Sequence, residues 1–391
     1  MRARSLALPL VAFAALLVLA ALIGAAPTSS AEESPRAGAA QDPSQADCTP
    51  LDDAALVAQV LGAPVAQPTL DAATAQMAQR HVGTIVLLGG AIRDAGQVRG
   101  LIADLNASGP PGLAPLIAVD EEGGRVARFG RAGVTVHLPS ARTQAETSST
   151  ADVRLQALGL GQQLAALGVD YNLAPVLDLS GGPAGGIIGD RSYSLDPVLA
   201  GEYGDAFAAG MREAGVATSA KHFPDHGLTT VDTHTDVATA EASLQQLRDV
   251  HLQPYHRALP ELDSIMLSHL RIDALDPQLP VSLSAPAIRF LRDELGYDRV
   301  VVTDDLSMRA VAAVANQETA ALMAITAGAD LALVGSVPAA QAAHTRILQA
   351  LHAGELSALR LHRAASRVLH LKGVDGPTAA CLVGRTHYVR R

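Results

Sequence analysis

An α/β fold, in the form of one TIM-type (β/α)8 barrel, is what this 391-residue chain predicts, and three observations point there. Short runs rich in Val, Ile and Leu alternate with Ala/Leu-rich helical stretches, the pattern of βαβ units around a parallel sheet. The runs are apolar almost throughout rather than every second residue, as in strands covered on both faces. Strand after strand also ends in a polar or charged residue, and barrels build their active sites at the C-terminal rim.

Taken in order, strands are expected at 83–88 (GTIVLL), 115–120 (PLIAVD), 169–179 (VDYNLAPVLDL), 216–223 (VATSAKHF), 264–269 (SIMLSH), 299–305 (RVVVTDD) and 331–335 (LALVG). Helices are expected at 155–167, 199–214, 244–259 and 317–327, with 341–353 and 358–371 completing the wall. The eighth strand finds no place in this pattern. Asp120, Asp178, Lys221, His222, His269 and Asp304 close their strands, so charge converges from at least five of them. Such convergence favours a closed barrel over an open sheet.

Ahead of the barrel, Arg2 and Arg4 precede an apolar stretch over 6–26, and a small-residue run ends at Ala31. That is the layout of a secretory signal peptide over 1–31, with an uncleaved anchor as the alternative. Residues 32–47 are rich in Pro, Ser, Ala and Gly and read as a flexible linker to a folded part over 48–391. The chain is therefore expected to be secreted or held at the cell envelope, touching a membrane only if the leader stays uncleaved. Its only two cysteines, Cys48 and Cys381, sit at either end of the folded part and suggest a disulfide joining the termini.

Composition excludes some functions. A net charge of -10 with no Lys/Arg run argues against a nucleic-acid partner. Aromatics are 3% and Trp is absent, so a long polysaccharide would find no stacking platform.

Three segments carry chemistry. The first runs Lys221-His222-Phe223-Pro224-Asp225-His226-Gly227 and on through Asp232-Thr233-His234. His222 and His226 are four apart, but Pro224 between them rules out one helical face and weakens a metal reading. Solvated loop polarity is the bland alternative. The sharper reading pairs Asp232 with His234: on an extended segment they share a side, and a carboxylate on one imidazole nitrogen orients the ring for proton transfer at the other. The second segment, 299–308 (RVVVTDDLSM), offers Asp304 and Asp305, of which one faces the barrel mouth. A carboxylate there suits attack on an anomeric carbon, although an Asp at a strand end also serves as a helix cap. The third, 120–128 (DEEGGRVAR), offers Asp120 and Arg128 as partners for sugar hydroxyls, or a surface ion-pair loop. Arg191 lies on a further rim loop.

At these residues the chain resembles glycoside hydrolase family 3, in particular its single-domain β-N-acetylglucosaminidase branch. The matching stretches are VDEEGGRVARF, NLAPVLDL, IIGDRSY, AKHFPDHG, DTH, LSH, VVVTDDLSM and AGADLALVG, in the family's order over roughly residues 56–372. The resemblance implies a retaining, exo-acting enzyme that needs no cofactor or metal. Asp304 would be the nucleophile, His234 the acid/base held by Asp232, and Asp120, Arg128, Arg191, Lys221 and His222 the residues that grip the sugar. The partner would be a small saccharide bearing N-acetylglucosamine, from cell-wall muropeptide or chitin, met by a monomer. One position departs: the family's KHFPGHG is KHFPDHG here; if that glycine needs positive φ, Asp225 is among the few residues that tolerate it, and Asp225 could also shift the charge around His222 or the loop. A metal-dependent barrel hydrolase using His222, His226 and Asp304, a family 3 β-glucosidase and an inactive sugar-binding wall protein stand as rival readings.

Overall fold

A computed structural model describes residues 48–384 apart from Pro111; the expected leader (1–31) and linker (32–47) lie outside the described residues. Eight strands form one sheet: β1 (Leu61–Val65), β2 (Thr84–Leu87), β3 (Leu116–Val119), β4 (Tyr171–Asn172), β5 (Ala217–Phe223), β6 (Ser264–Leu267), β7 (Val300–Thr303) and β8 (Ala332–Leu333). They stand in the order β7-β6-β5-β4-β3-β2-β1-β8, and every neighbouring pair is parallel. A parallel bridge between Val302 and Leu331 joins β8 back to β7, with the N–H of Thr303 donating to the Leu331 carbonyl at 3.0 Å. The ring is thereby closed, and the expected barrel is present.

Inside the ring, Val86, Ala118, Tyr171, Met266, Val302 and Leu333 are buried against one another, with Val368 of helix Ala358–Leu371 packed into the same cluster. A larger apolar layer lies between the strands and the surrounding helices. Burial on both faces is why the strands carry no polar–apolar alternation. The helices are bounded by local chemistry. Helix Thr150–Leu167 starts at a capping box, Ser149 with Asp152, and stops at Gly168, whose φ of 91° suits a residue without Cβ.

Three elements differ from the sequence expectation. The missing strand is β1, LGAPV, whose Gly and Pro erase the usual β-signal. At Gly62 a Cβ would come within 2.5 Å of Leu333 Cδ2, so any larger residue would require the Leu333 side chain to move. The long strand expected over 169–179 pairs only at Tyr171–Asn172, then again by a single bridge from Val176 to Lys221. The helix expected over 244–259 is broken: a π-helical turn, Leu247–His251, separates Leu244–Gln246 from Gln253–Ala258. At the ends of the described chain the Cys48–Cys381 disulfide is formed, with a Cα–Cα distance of 6.2 Å.

Candidate active site

A cavity of about 290 Å³ opens at the C-terminal ends of the strands, and Asp120, Glu122, Arg128, Arg191, Lys221, His222, His234, Asp304 and Asp305 border it. Of the eight residues expected at the site, seven line this space, and Asp232 holds the eighth place one step behind His234.

The most buried group is a charge network on the β3 and β5 sides. Lys221, at the end of β5, places Nζ 2.8 Å from Asp120 Oδ1 and 2.7 Å from Glu122 Oε1. Arg191 reaches Glu122 with both Nε and Nη2 at 2.8 Å, a bidentate contact. Burial acts to raise the Glu122 carboxyl, but Arg191 and Lys221 outweigh it and hold the group well below the usual carboxylate range. Burial likewise acts to lower Lys221, and Asp120 with Glu122 reverse it, so the amine stays charged. Arg128 lies 3.8 Å from Asp120 Oδ2. Glu122 had no assigned role in the sequence reading, because its partner Arg191 is 69 residues away along the chain.

Asp304 follows β7. Its Oδ1 accepts the N–H of Asp305 at 2.8 Å, while Oδ2 lies 3.9 Å from His222 Nε2. Burial works to raise this carboxyl, but His222, His269, the Asp305 N–H and Lys221 lower it to about 2. It is therefore ionised at any pH the fold is expected to meet. Asp305 also borders the cavity, yet its carboxylate accepts the Ser307 N–H at 2.8 Å and serves the turn that follows, as a strand-end cap does.

Beneath Asp304 sits a second buried carboxylate that the sequence marked only as a strand end. Asp178 Oδ2 is 2.6 Å from His222 Nδ1, and Oδ1 accepts the N–H groups of His222 and His226 at 3.0 and 2.6 Å. His222 is thus oriented by Asp178 with its other nitrogen toward Asp304. His269 is fixed in the same manner: Nε2 donates to the Asp305 carbonyl at 2.9 Å and Nδ1 accepts from Ser282 at 2.7 Å.

The Asp232–His234 contact exists, but its geometry is a turn and not an extended strand. Asp232 Oδ1 accepts the His234 N–H at 2.9 Å and pairs with Nδ1 at 2.8 Å, while the Asp232 carbonyl accepts from Thr235 and Asp236. The side chain folds back on its own backbone two residues on, which is what short Asp side chains do in loops. Both groups are open to solvent.

Asp225 needs no left-handed backbone: its φ of -178° is extended, so the conformational reason offered for Asp at this position fails. The adjacent Gly227 is the constrained one, since a Cβ there would stand 1.9 Å from the Leu179 carbonyl oxygen. Among the described residues, no three His, Cys, Asp or Glu side chains are grouped to hold a metal ion. His222 and His226 are instead engaged by Asp178 and Thr233.

Comparison with known proteins agrees with this geometry. Residues 57–371 match the glycosyl hydrolase family 3 N-terminal domain. β-Hexosaminidase LpqI of Mycobacterium tuberculosis is 37% identical over 320 residues, 80% of either chain. A Pseudomonas aeruginosa β-hexosaminidase is 36% identical over 259 residues, 65% of this chain and 76% of its own. Among solved structures, that of M. tuberculosis LpqI superposes with a TM-score of 0.77 at 35% identity, over 83% of this chain and 95% of the other. A family 3 β-N-acetylglucosaminidase from Paenibacillus sp. str. FPU-7 gives 0.78 at 31%, over 87% of this chain and 65% of its own. With the barrel, the rim cavity and these matches in agreement, the chain belongs to glycoside hydrolase family 3.

Proposed function

We propose that the protein is a retaining, exo-acting β-N-acetylglucosaminidase that removes terminal N-acetylglucosamine from small glycans. The observation that carries this is the gathering of Asp304 and His234 on one cavity that Asp120, Lys221 and Arg191 also line. In the first step an Asp304 oxygen bonds to the anomeric carbon as the glycosidic bond breaks, and His234 donates its proton to the departing oxygen. In the second, His234 takes a proton from water, which adds to the same carbon and frees Asp304. Two displacements restore the starting configuration. The Asp232 carboxylate accepts from His234 Nδ1, which leaves Nε2 as the atom that exchanges the proton. Asp120, Arg128, Arg191, Lys221 and His222 hold the sugar ring.

The same reading makes cell-wall muropeptides or chitin fragments the substrates and the chain a monomer exported by its leader. The disulfide supports export, since such bonds persist in oxidising compartments. No helix among the described residues is long and apolar enough to cross a membrane. The deciding experiment compares an aryl β-N-acetylglucosaminide with the matching aryl β-glucoside and follows the first product by proton NMR. Faster release from the N-acetylglucosaminide with β-anomer product is expected. A preference for the glucoside would point to a β-glucosidase, and α-anomer product would overturn retention.

A further inference from the structure

The loop that carries Asp232 and His234 leaves the barrel at 225–227, and under that exit a buried acid, Asp225, pairs with the half-buried His251. Asp225 has 2% of its side chain exposed, and its Oδ2 is 2.7 Å from His251 Nδ1. Its Oδ1 accepts the N–H of Gly227 at 2.7 Å and that of Leu179 at 3.1 Å. The carboxylate therefore fastens the start of the loop to the segment after β4. Asp178 makes the reverse stitch, accepting the His226 N–H while holding His222.

From this exit the order propagates. His226 Nε2 contacts Thr233 Oγ1 at 3.0 Å, and the Thr233 carbonyl accepts the Ala310 N–H at 3.2 Å. Thr233 is 1% exposed, although both its neighbours, Asp232 and His234, face solvent. The exposed loop thus hangs from two buried side chains, Thr233 and, at the corner where it leaves the barrel, Asp225.

Two features show that the corner is built for a purpose beyond filling space. A buried acid is costly here: burial pushes the Asp225 carboxyl up to about 6, Asp178 adds to that, and His251 with the Gly227 N–H work against it. His251 arrives at the end of the π-helical turn Leu247–His251, an interruption of the kind that re-aims a side chain and is found often at functional sites. Asp225 is also the position where this chain departs from the motif quoted above.

We infer that Asp225 and His251 form a positioning pair that sets the register of the His226–Thr233 tether and so aims His234 at the departing oxygen. The pair touches no substrate and acts through the loop. This rests on His234 being the acid, so its test includes His234→Ala as a benchmark.

The experiment measures kcat and KM on two substrates, N,N′-diacetylchitobiose, with a poor leaving group, and a dinitrophenyl β-N-acetylglucosaminide, which departs without a proton. The variants are Asp225→Ala, Asp225→Asn, His251→Ala and His234→Ala, each with a melting curve. A displaced catalytic group costs on the order of 10²-fold. We expect Asp225→Ala and His251→Ala to lose about that much kcat on the disaccharide and less than about tenfold on the aryl glycoside, with KM little changed. Asp225→Asn keeps an acceptor for Gly227 and Leu179 and should regain most of the loss. Equal losses on both substrates in folded Asp225→Ala would reduce the pair to a structural role and overturn the inference. Should Asp225→Ala fail to fold, His251→Ala decides by the same split. If His234→Ala shows the split and the pair does not, only this inference falls. If His234→Ala shows none, the acid assignment falls and takes the inference with it.

Discussion

Asp304 and His234 border one cavity from opposite kinds of ground. The Asp304 side chain is 19% exposed, while the His234 imidazole is 67% exposed on a loop outside the strands. Asp304 stands on a strand end, takes a backbone N–H, and is surrounded by His222, His269 and Lys221, all themselves held by hydrogen bonds or ion pairs. His234 has Asp232 and little else. A charge-bearing nucleophile profits from fixed partners that need no rearrangement when the oxocarbenium develops. In the proposed cycle the imidazole gives up a proton in the first step and takes one from the attacking water in the second, and an exposed position admits that water. On the roles proposed above, the two halves of the chemistry are placed where their solvent needs differ.

The largest effect expected from breaking this contrast is at the fixed side. Asp304→Ala removes the bond-forming oxygen and should lower kcat on every substrate by about 10⁴-fold or more, as loss of a covalent nucleophile does. Retention of even a tenth of the activity on an aryl glycoside would remove Asp304 from its role.

On the exposed side the loss should depend on the substrate. His234→Ala is expected to cost about 10²–10⁴-fold on a saccharide leaving group, the usual worth of general acid catalysis, and far less on an activated aryl group. A uniform loss would mean that the imidazole binds the sugar and does not protonate it.

The smallest effect concerns folding. Glu122→Gln leaves Arg191 and Lys221 short of a buried counter-charge and should destabilise the protein by about 3–5 kcal/mol, read from urea unfolding. Asp232→Asn, at the exposed pair, should cost under about 1 kcal/mol. Similar values for the two would erase the distinction between the buried rim and the exposed loop.

Much of this was legible in the residues, and the gaps have physical causes. Apolar runs ending in charge revealed seven strands and the rim, because burial on both faces and function at the C-terminal end leave separate marks. The strand containing Gly62 and Pro64 left neither mark, since its place depends on how closely Leu333 approaches. The π-turn was read as plain helix because one extra residue hardly disturbs apolar spacing. At the site, side chains that reach into the cavity were identifiable by motif. Those that hold them were not. Asp178 and Glu122 act on residues 44 and 69 positions away, and nothing local in a sequence announces such a pairing. Asp225 stands out by its identity, but its extended backbone makes no demand on residue type, so the positive-φ reading fails and the contact with His251, remote in sequence, is not legible.

The thinnest joint of the ring is the single bridge between β8 and β7, and on its other side β8 shares two paired positions with β1. Cys48 precedes β1 and Cys381 follows β8, so their bond acts as a clasp across this seam, tying the first and last units of the hoop. Unravelling from either chain end, ordinarily the cheapest way for a domain to begin opening, is then blocked on both sides at once. If the chain is exported as proposed above, that clasp lengthens its life against proteolysis.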